Sequence, residues 1–575
     1  MISLIIDDQL VTVEEGTTII DAAKSVGINI PNLCYLKGVN AIGACRICLV
    51  EVRGNGTLTP ACMTEVARGM VVRTTTPEVI KTRRIVLELI LSDHPMECLT
   101  CIRNGSCELQ KLAEEFGVKE IPFEGEKTAF PMDTSSPAIQ RDPRKCTHCR
   151  RCVSVCANIQ TVQALGPQNR GFTSLIAPAY NEPLANMECV QCGQCSLVCP
   201  TAAIQEKDDT DQVWAALADQ QKHVIVQTAP ATRVQLGEIL GAGPGSIVTG
   251  QMVAGLRKLG FDKVFDTNFT ADLTIIEEGN ELLQRMTEGG ILPMITSCSP
   301  GWIKFMEHFY PDLLDHLSTC KSPQQMFGAL AKTYYAEKTG LDPADIFSVS
   351  VMPCTAKKYE CTRPEMFSSG YQDVDVVLTT RELGRMFRQA RFSVENLPAQ
   401  EYDAPLGIST GAGEIFGASG GVMEAALRTV YEVVTGNELD NINFTECRGL
   451  QGVKEATVQM GDLAVKIAII NGLGNVREVM ERLRAGTADY HFMEVMCCPG
   501  GCIGGGGSPL PTDTASREKR LNAIYTEDER MSLRKSHENP ALQDLYTEFL
   551  ERPLGEKSHA LLHTRYTPRG RYPKG

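Results

Sequence analysis

No run of the chain approaches the roughly 18 consecutive apolar residues at which a membrane-spanning helix becomes possible, although 43% of the 575 residues are hydrophobic. The opening MISLIIDDQL lacks a basic stretch followed by an apolar core and a small-residue cleavage site, and no twin-arginine signal appears. The chain is therefore expected to be cytoplasmic, with no membrane span. Positive charge is also short. Lys plus Arg is 56 against 70 for Asp plus Glu, a net charge of −14, which argues against a nucleic-acid partner because phosphates demand a basic face. The last twenty residues reverse the sign locally and read as a solvated tail or docking strip. There is no P-loop and no clean G-x-G-x-x-G, since GAGEIFG at 411–417 has three residues before its last glycine. The chain itself is thus expected to bind neither nicotinamide nor flavin.

What the sequence has in abundance is cysteine: 23, of which fifteen fall in the first 199 residues. In a reducing compartment they read as metal ligands, not as disulfides. They sort into three groups. Cys34, Cys45, Cys48 and Cys62 lie among short strand-like runs (SLIID, QLVTVEE, CLVEV, MVVRT), a spacing that suits a [2Fe–2S] cluster wrapped by one long loop, with a structural zinc as the alternative. In SDHPMECLTCIRNGSCEL only Cys98, Cys101 and Cys107 are cysteines. A cubane needs four donors, and His94 supplies the missing one. Cys146, Cys149, Cys152 and Cys156 form C-x2-C-x2-C-x3-C, repeated 43 residues later by Cys189, Cys192, Cys195 and Cys199 before Pro200. This is the bacterial two-cluster ferredoxin run, in which the fourth cysteine of each set ligates the other cluster. One cubane should take Cys146, Cys149, Cys152 and Cys199, the other Cys189, Cys192, Cys195 and Cys156. Fifteen cysteines and one histidine make sixteen donors, enough for one [2Fe–2S] and three [4Fe–4S] centres in series, an electron wire.

A length of 575 residues suggests about four domains at roughly 150 residues each, and the pattern changes after about residue 220. HVIVQTAP, ILPMITS, FSVSVMP, DVDVVLTT, AVKIAIING and HFMEVM read as strands, with helical stretches such as RELGRMFRQA and NVREVMERLRAG between them. The alternation predicts parallel α/β structure. Three of the strands run straight into Cys298, Cys354 and the Cys497–Cys498 pair. Ligands in open α/β sheets bind beyond the carboxyl ends of strands, so these cysteines are expected to share one crevice.

TSCSPGW at 296–302, MPCTAKKYE at 352–360 and EVMCCPGGCIGGGG at 494–507 resemble the three signatures of [FeFe]-hydrogenases, with KSPQQMFG at 321–328 and GAGEIFGASGGVMEAALR at 411–428 as further family-like stretches. The resemblance runs from residue 1 to about 565. It implies a multidomain α/β protein: a plant-type [2Fe–2S] ferredoxin-like domain at 1–78, a one-histidine, three-cysteine [4Fe–4S] domain at 79–120, a bacterial-type two-cubane ferredoxin domain at 137–208, a two-lobed parallel α/β catalytic domain at 220–508, and a helical small-subunit-like segment at 510–570. The first two modules also resemble those of complex I large subunits.

The implied cofactor is an H-cluster, a [4Fe–4S] cubane joined through a cysteine sulfur to a di-iron unit carrying CO, cyanide and a bridging dithiolate. Cys354, Cys498 and Cys502 match three of its thiolates, with Cys502 the bridging one. Lys357 matches the lysine that donates to an iron-bound cyanide, and Met352 and Met496 match residues packed on the di-iron unit; otherwise they read as a surface lysine and core filler. The fourth thiolate departs from the usual TSCCPGW, because Ser299 stands at its position; Ser299, Cys298 or Cys497 is left to ligate. The family's proton relay maps onto Cys298, Glu278, Ser318 and Glu281, with Arg285 near its exit, although an unsupported Glu pair reads equally as a solvated helix face. The implied activity is reversible oxidation of H2, with electrons passed to a ferredoxin or to flavin- and NAD(P)-binding partner subunits. A complex I type electron wire explains residues 1–210 equally well but not Cys354, Lys357, Cys498 and Cys502. A hydrogenase-like iron–sulfur assembly protein would lack the full motif set. Cys320, Cys361 and Cys447 stay unassigned.

Overall fold

A computed structural model describes residues 1–460 and 463–570; residues 571–575, the end of the basic tail, lie outside the described part. In the N-terminal sheet β1 (Ile2–Ile6), β2 (Gln9–Val13), β3 (Leu49–Val52), β4 (Thr59–Pro60) and β5 (Val71–Arg73) are ordered β2-β1-β5-β3-β4. Strand alternation buries Leu4 and Ile6 of β1 on one face. Between β2 and β3 comes helix Ile19–Ser25, and the long loop after it carries three of the first four cysteines. Helix Pro77–Asp93 begins on the Thr76 cap with proline at its first turn and ends at His94.

Two short hairpins follow, β6 (Ile139–Arg141) with β9 (Ile204–Glu206), and β7 (Gly166–Gln168) with β8 (Leu175–Ala177). Arg381 and Arg385 of the next domain bind Glu206 at the end of β9. Burial works against the Glu206 charge, but the two guanidinium groups outweigh it and hold the carboxyl well below the usual glutamate range. That ion cluster clamps the ferredoxin-like region to the catalytic lobes.

The first lobe is an all-parallel sheet, β11-β10-β13-β14, built from β10 (His223–Thr228), β11 (Lys263–Asp266), β13 (Ile346–Met352) and β14 (Val376–Thr379). β14 passes into helix Thr380–Gln389 through a Thr379/Glu382 capping box. The second lobe orders β12 (Met294–Ile295), β17 (Phe492–Met496), β16 (Leu463–Asn471) and β15 (Val453–Met460) as β12-β17-β16-β15. Its β15 runs antiparallel to β16, so this lobe is mixed where the sequence suggested parallel strands throughout. The 22-residue helix Thr267–Glu288 is buried along most of its length between the lobes.

The C-terminal segment wraps both lobes. Arg428 of helix Gly421–Thr435 grips Asp528 of helix Thr514–Arg530 with two bonds of 2.8 and 2.9 Å, both side chains fully buried. Farther on, Cys320 and His563 form an antiparallel bridge.

Candidate active site and electron path

No cysteine forms a disulfide, and twelve of the first fifteen gather as three sets of four. Cys34, Cys45, Cys48 and Cys62 are buried and in mutual thiol contact. Cys146, Cys149, Cys152 and Cys199 line one cavity of about 400 Å³, and Cys156, Cys189, Cys192 and Cys195 line another of about 490 Å³. Each cavity therefore draws its fourth thiol from the other motif. Desolvation first, then the neighbouring thiols, push Cys146 and Cys156 up to about 12. Such thiols give up their protons only to a cation, which is what an iron cluster offers.

His94 sits at the end of its helix with Nδ1 buried and without a hydrogen-bond partner among the described residues. Burial, and then Lys145, lower it to about 4, leaving the neutral imidazole that metals take. An orphaned buried nitrogen at the start of the segment that carries the half-buried Cys98, Cys101 and Cys107 fits a metal ligand better than a core histidine.

The sets touch in a definite order. Asn40 Nδ2 donates to the backbone oxygens of Cys34 (2.7 Å) and Cys149 (3.1 Å), and Arg103 of the His94 loop donates to Cys199 O at 3.0 Å. Two inputs thus meet at the Cys146/Cys149/Cys152/Cys199 set. At the far end Gln194 donates to Gly504 O (2.9 Å) and Gln160 to Cys497 O (3.1 Å), so the Cys189 set abuts the third-signature loop. The spacing of the cysteines alone carries no such order.

The crevice lies at the carboxyl ends of β12, β13 and β17. Ser299 follows β12 and precedes helix Pro300–Phe309, which opens on proline. Cys354 follows β13, and Cys497 and Cys498 follow β17. Together with Cys502, Cys298, Lys357, Met352 and Met496 they line a cavity of about 790 Å³, larger than either cubane cavity. Gly501 takes φ +88°, and a Cβ there would stand 2.5 Å from Ser419 N. At Gly505 it would meet Pro353 O at 2.2 Å. The loop backbone packs too closely for side chains. Donor set, size and cradle all fit a cluster larger than one cubane.

Both methionines are buried. Lys357, 8% exposed, donates to Glu360 Oε2 at 3.1 Å and to Cys298 O at 3.4 Å. Burial opposes its charge, but Glu360 and Cys354 hold the ammonium above the ordinary lysine value, so it is a fixed cation at the cavity wall. Glu360 was missed by sequence reasoning although it stands inside MPCTAKKYE, one helical turn from Lys357.

Behind Cys298 the acidic residues are buried, with Glu278 2% and Glu281 7% exposed, which removes the solvated-face reading. Burial raises Glu278 to about 8, against the pull of Ser318, and one of its carboxyl oxygens is without a hydrogen-bond partner among the described residues. Burial and Glu278 also raise the Cys298 thiol far above its usual range. Ser318 Oγ donates to Glu281 Oε2 at 3.0 Å, and Arg285 Nη2 to Glu281 Oε1 at 2.6 Å. All five relay candidates occupy one neighbourhood. Of the three cysteines left over, Cys320 lies beside Glu281, while Cys361 and Cys447 are buried elsewhere in the core.

Comparison with known proteins agrees with this layout. Residues 222–506 match the family model described as iron only hydrogenase large subunit, C-terminal domain, and 514–569 the iron hydrogenase small subunit. Residues 1–77 match a 2Fe-2S iron-sulfur cluster binding domain, 83–122 the NADH-ubiquinone oxidoreductase-G iron-sulfur binding region, and 186–205 a 4Fe-4S binding domain. The NADP-reducing hydrogenase subunit HndD of Solidesulfovibrio fructosivorans is 51% identical over 99% of this chain and 100% of its own length. Iron hydrogenase 1 of Clostridium pasteurianum is 41% identical over 98% of this chain and 100% of its own. A solved [FeFe]-hydrogenase of Chlamydomonas reinhardtii superposes with a TM-score of 0.57 at 44% identity, covering 63% of this chain and all of the other.

Proposed function

The chain belongs to the iron-only, or [FeFe], hydrogenase family, and from that premise we propose that it catalyses H2 ⇌ 2H⁺ + 2e⁻ in the 790 Å³ cavity. Its electrons travel through one [2Fe–2S] and three [4Fe–4S] centres. The observation that carries the reading is the position of the cavity, with the Cys189 thiol set on one side and buried Glu278 on the other.

When bound, the H-cluster supplies the di-iron centre at which H2 is split or formed. The chain does the rest. Cys354, Cys498 and Cys502 would hold the cluster's iron, Lys357 would fix an anionic ligand of it by charge-assisted hydrogen bonding, and Met352 and Met496 keep the site dry. Glu278, which carries a proton at neutral pH, passes that proton toward Glu281 through Ser318 as it takes one from Cys298, so each group gives up one proton for each it receives. This is general acid–base work at groups held within hydrogen-bond reach.

The fourth cubane ligand in this reading is Cys497. It is 4% exposed and in thiol contact with both Cys192 and Cys498, while its backbone N–H donates to Ser299 Oγ at 3.2 Å. Cys298 faces Glu278 and stays free for protons. Thiolate is also a better iron ligand than a serine hydroxyl.

Electrons enter or leave through the Cys34 or His94 centre. The similarity to a subunit of an NADP-reducing hydrogenase supports flavin- and NAD(P)-binding partner subunits, with ferredoxin as a further carrier, in a cytoplasmic complex. Among the described residues no helix is long and apolar enough to cross a membrane. The domains are then 1–78, 79–120, 137–208, 220–508 and 510–570. Infrared bands of iron-bound CO and cyanide, with H2-dependent dye reduction, test the activity; absence of both overturns it. H2-dependent NAD(P) reduction by the native complex, with and without ferredoxin, tests the partners.

A further inference from the structure

The buried carboxylate chain needs a way out, and Arg285 is a poor carrier at its end. A guanidinium stays protonated under all working conditions. Arg285 is also fully engaged: it donates to Glu281 Oε1 and to the backbone oxygens of Ile291, Asp315, His316 and Leu317. It positions Glu281.

A different group touches the other oxygen. Thr319 Oγ1 lies 3.2 Å from Glu281 Oε2 and 2.7 Å from Nδ1 of His563. Nε2 of that imidazole lies 3.2 Å from Glu277 Oε2. Glu277 is fully buried and also accepts from Tyr546, Ser558 and the Leu554 N–H, so it is a fixed anion and His563 presents its Nε2–H to it. Nδ1 is then the free acceptor, turned toward Thr319. The ring of His559, an exposed residue, lies against His563 at a tilt of 43° with centroids 4.3 Å apart. Register holds the arrangement in place: Lys321 N donates to Leu562 O (2.8 Å) and Thr564 N to Thr319 O (2.7 Å). The ionisable groups around His563 are Glu277 and Glu281 from helix Thr267–Glu288, Cys320 from the segment after Ser318, and His559 from its own helix.

We propose that the C-terminal segment supplies the last group of the proton relay: His563, reached from Glu281 through the Thr319 hydroxyl, exchanges protons with solvent. Protonated Glu281 gives its proton to Thr319 Oγ1 as Thr319 gives its own to His563 Nδ1. The imidazolium, 9% exposed and balanced by Glu277, gives up its Nε2 proton to buffer on the His559 side, so the hydroxyl is restored and one proton has crossed. The ring is left as the Nδ1–H tautomer and turns over to present its bare nitrogen to Thr319 for the next proton. Imidazole is the side chain suited to such exchange near neutral pH. The inference rests on the reading of Glu278, Ser318 and Glu281 as the inner relay.

The test uses the full-length matured enzyme. Thr319→Val and His563→Gln should each lower kcat at least about tenfold, less than the roughly 10²–10⁴ of a fully lost acid–base step because the inner relay is kept, with iron content and the CO and cyanide infrared bands unchanged. Thr319→Ser should keep near-normal turnover. Added imidazole should restore His563→Ala saturably, an effect that loss of a merely structural Glu277 partner would not show. Turnover within about twofold of the parent in Thr319→Val or His563→Gln, or no rescue by imidazole, overturns the proposal. Glu278→Gln separates the two readings. If it is inactive while His563→Gln is not, the exit alone is wrong; if it is fully active, the inner relay is wrong.

Discussion

Replacing Glu278 by glutamine should separate catalysis from stability, because burial makes the two pull in opposite directions. The carboxyl is raised to about 8 from a usual glutamate value of 4.5, burial being the largest cause. Between those values the folded protein holds a proton that the unfolded chain has lost, so stability falls as pH rises, by about 1.4 kcal/mol per pH unit. At pH 7 the accumulated cost is roughly 3 kcal/mol, and it stops growing above about pH 8. Glutamine has the shape of the neutral acid and no such slope. Glu278→Gln should therefore unfold at a higher temperature than the parent, with a gap that widens from pH 5 to pH 8, while H2 turnover drops by about 10²–10⁴. Anaerobic thermal unfolding across that pH range, paired with H2-dependent dye reduction at matched iron content, reads both. A gap that does not change with pH refutes the burial argument. Parental turnover with a loaded cofactor refutes the relay.

Other perturbations address other groups. Cys497→Ala should lose the catalytic cubane, read as iron per protein and cubane spectroscopic signal, and adding Ser299→Cys should restore it; full occupancy in the single variant would return the fourth ligand to Ser299 or Cys298. His94→Cys should keep its cluster but lower its reduction potential in a spectroscopic redox titration, since imidazole ligation raises potential, and an unchanged potential would mean that His94 is not a ligand. Arg428→Ala removes the cation shared by the buried Asp528 and Glu424, which keep Arg534 and Arg448 as remaining partners, and should destabilise the chain by about 1–3 kcal/mol through the lost buried hydrogen bonds, seen as easier unfolding and as proteolysis after residue 510. A loss below about 1 kcal/mol would place that clamp among pairs that contribute little.

The parts of this molecule that sequence reveals are those whose chemistry is local. C-x2-C-x2-C-x3-C points to a cubane because its first three donors sit on one short turn, and each of the two cavities is lined by three thiols of one motif and the fourth of the other, 43 residues away in register. The strands of the lobes were legible where they were continuous apolar runs, as in FSVSVM. β11, only four residues long, and β15, whose VKEATVQM mixes charged with apolar residues at a sheet edge, were not. The two glutamates were ambiguous for the opposite reason. A buried and a solvated Glu pair have the same spacing, and only the burial of that face of helix Thr267–Glu288 by the surrounding segments distinguishes them.

Least legible were contacts between remote segments that carry charge from one centre to the next. Asn40 joins residues 34 and 149, Gln160 reaches residue 497, and Thr319 meets His563 across 244 residues. Each is an ordinary polar residue outside any signature, chosen by geometry that arises only when separately folding modules dock. The motifs therefore specify the centres, while docking specifies the routes between them. Electron and proton traffic in this chain should accordingly be more sensitive to substitutions at such junctions than their unremarkable sequence suggests, and His563 is the junction where that expectation is most directly measurable.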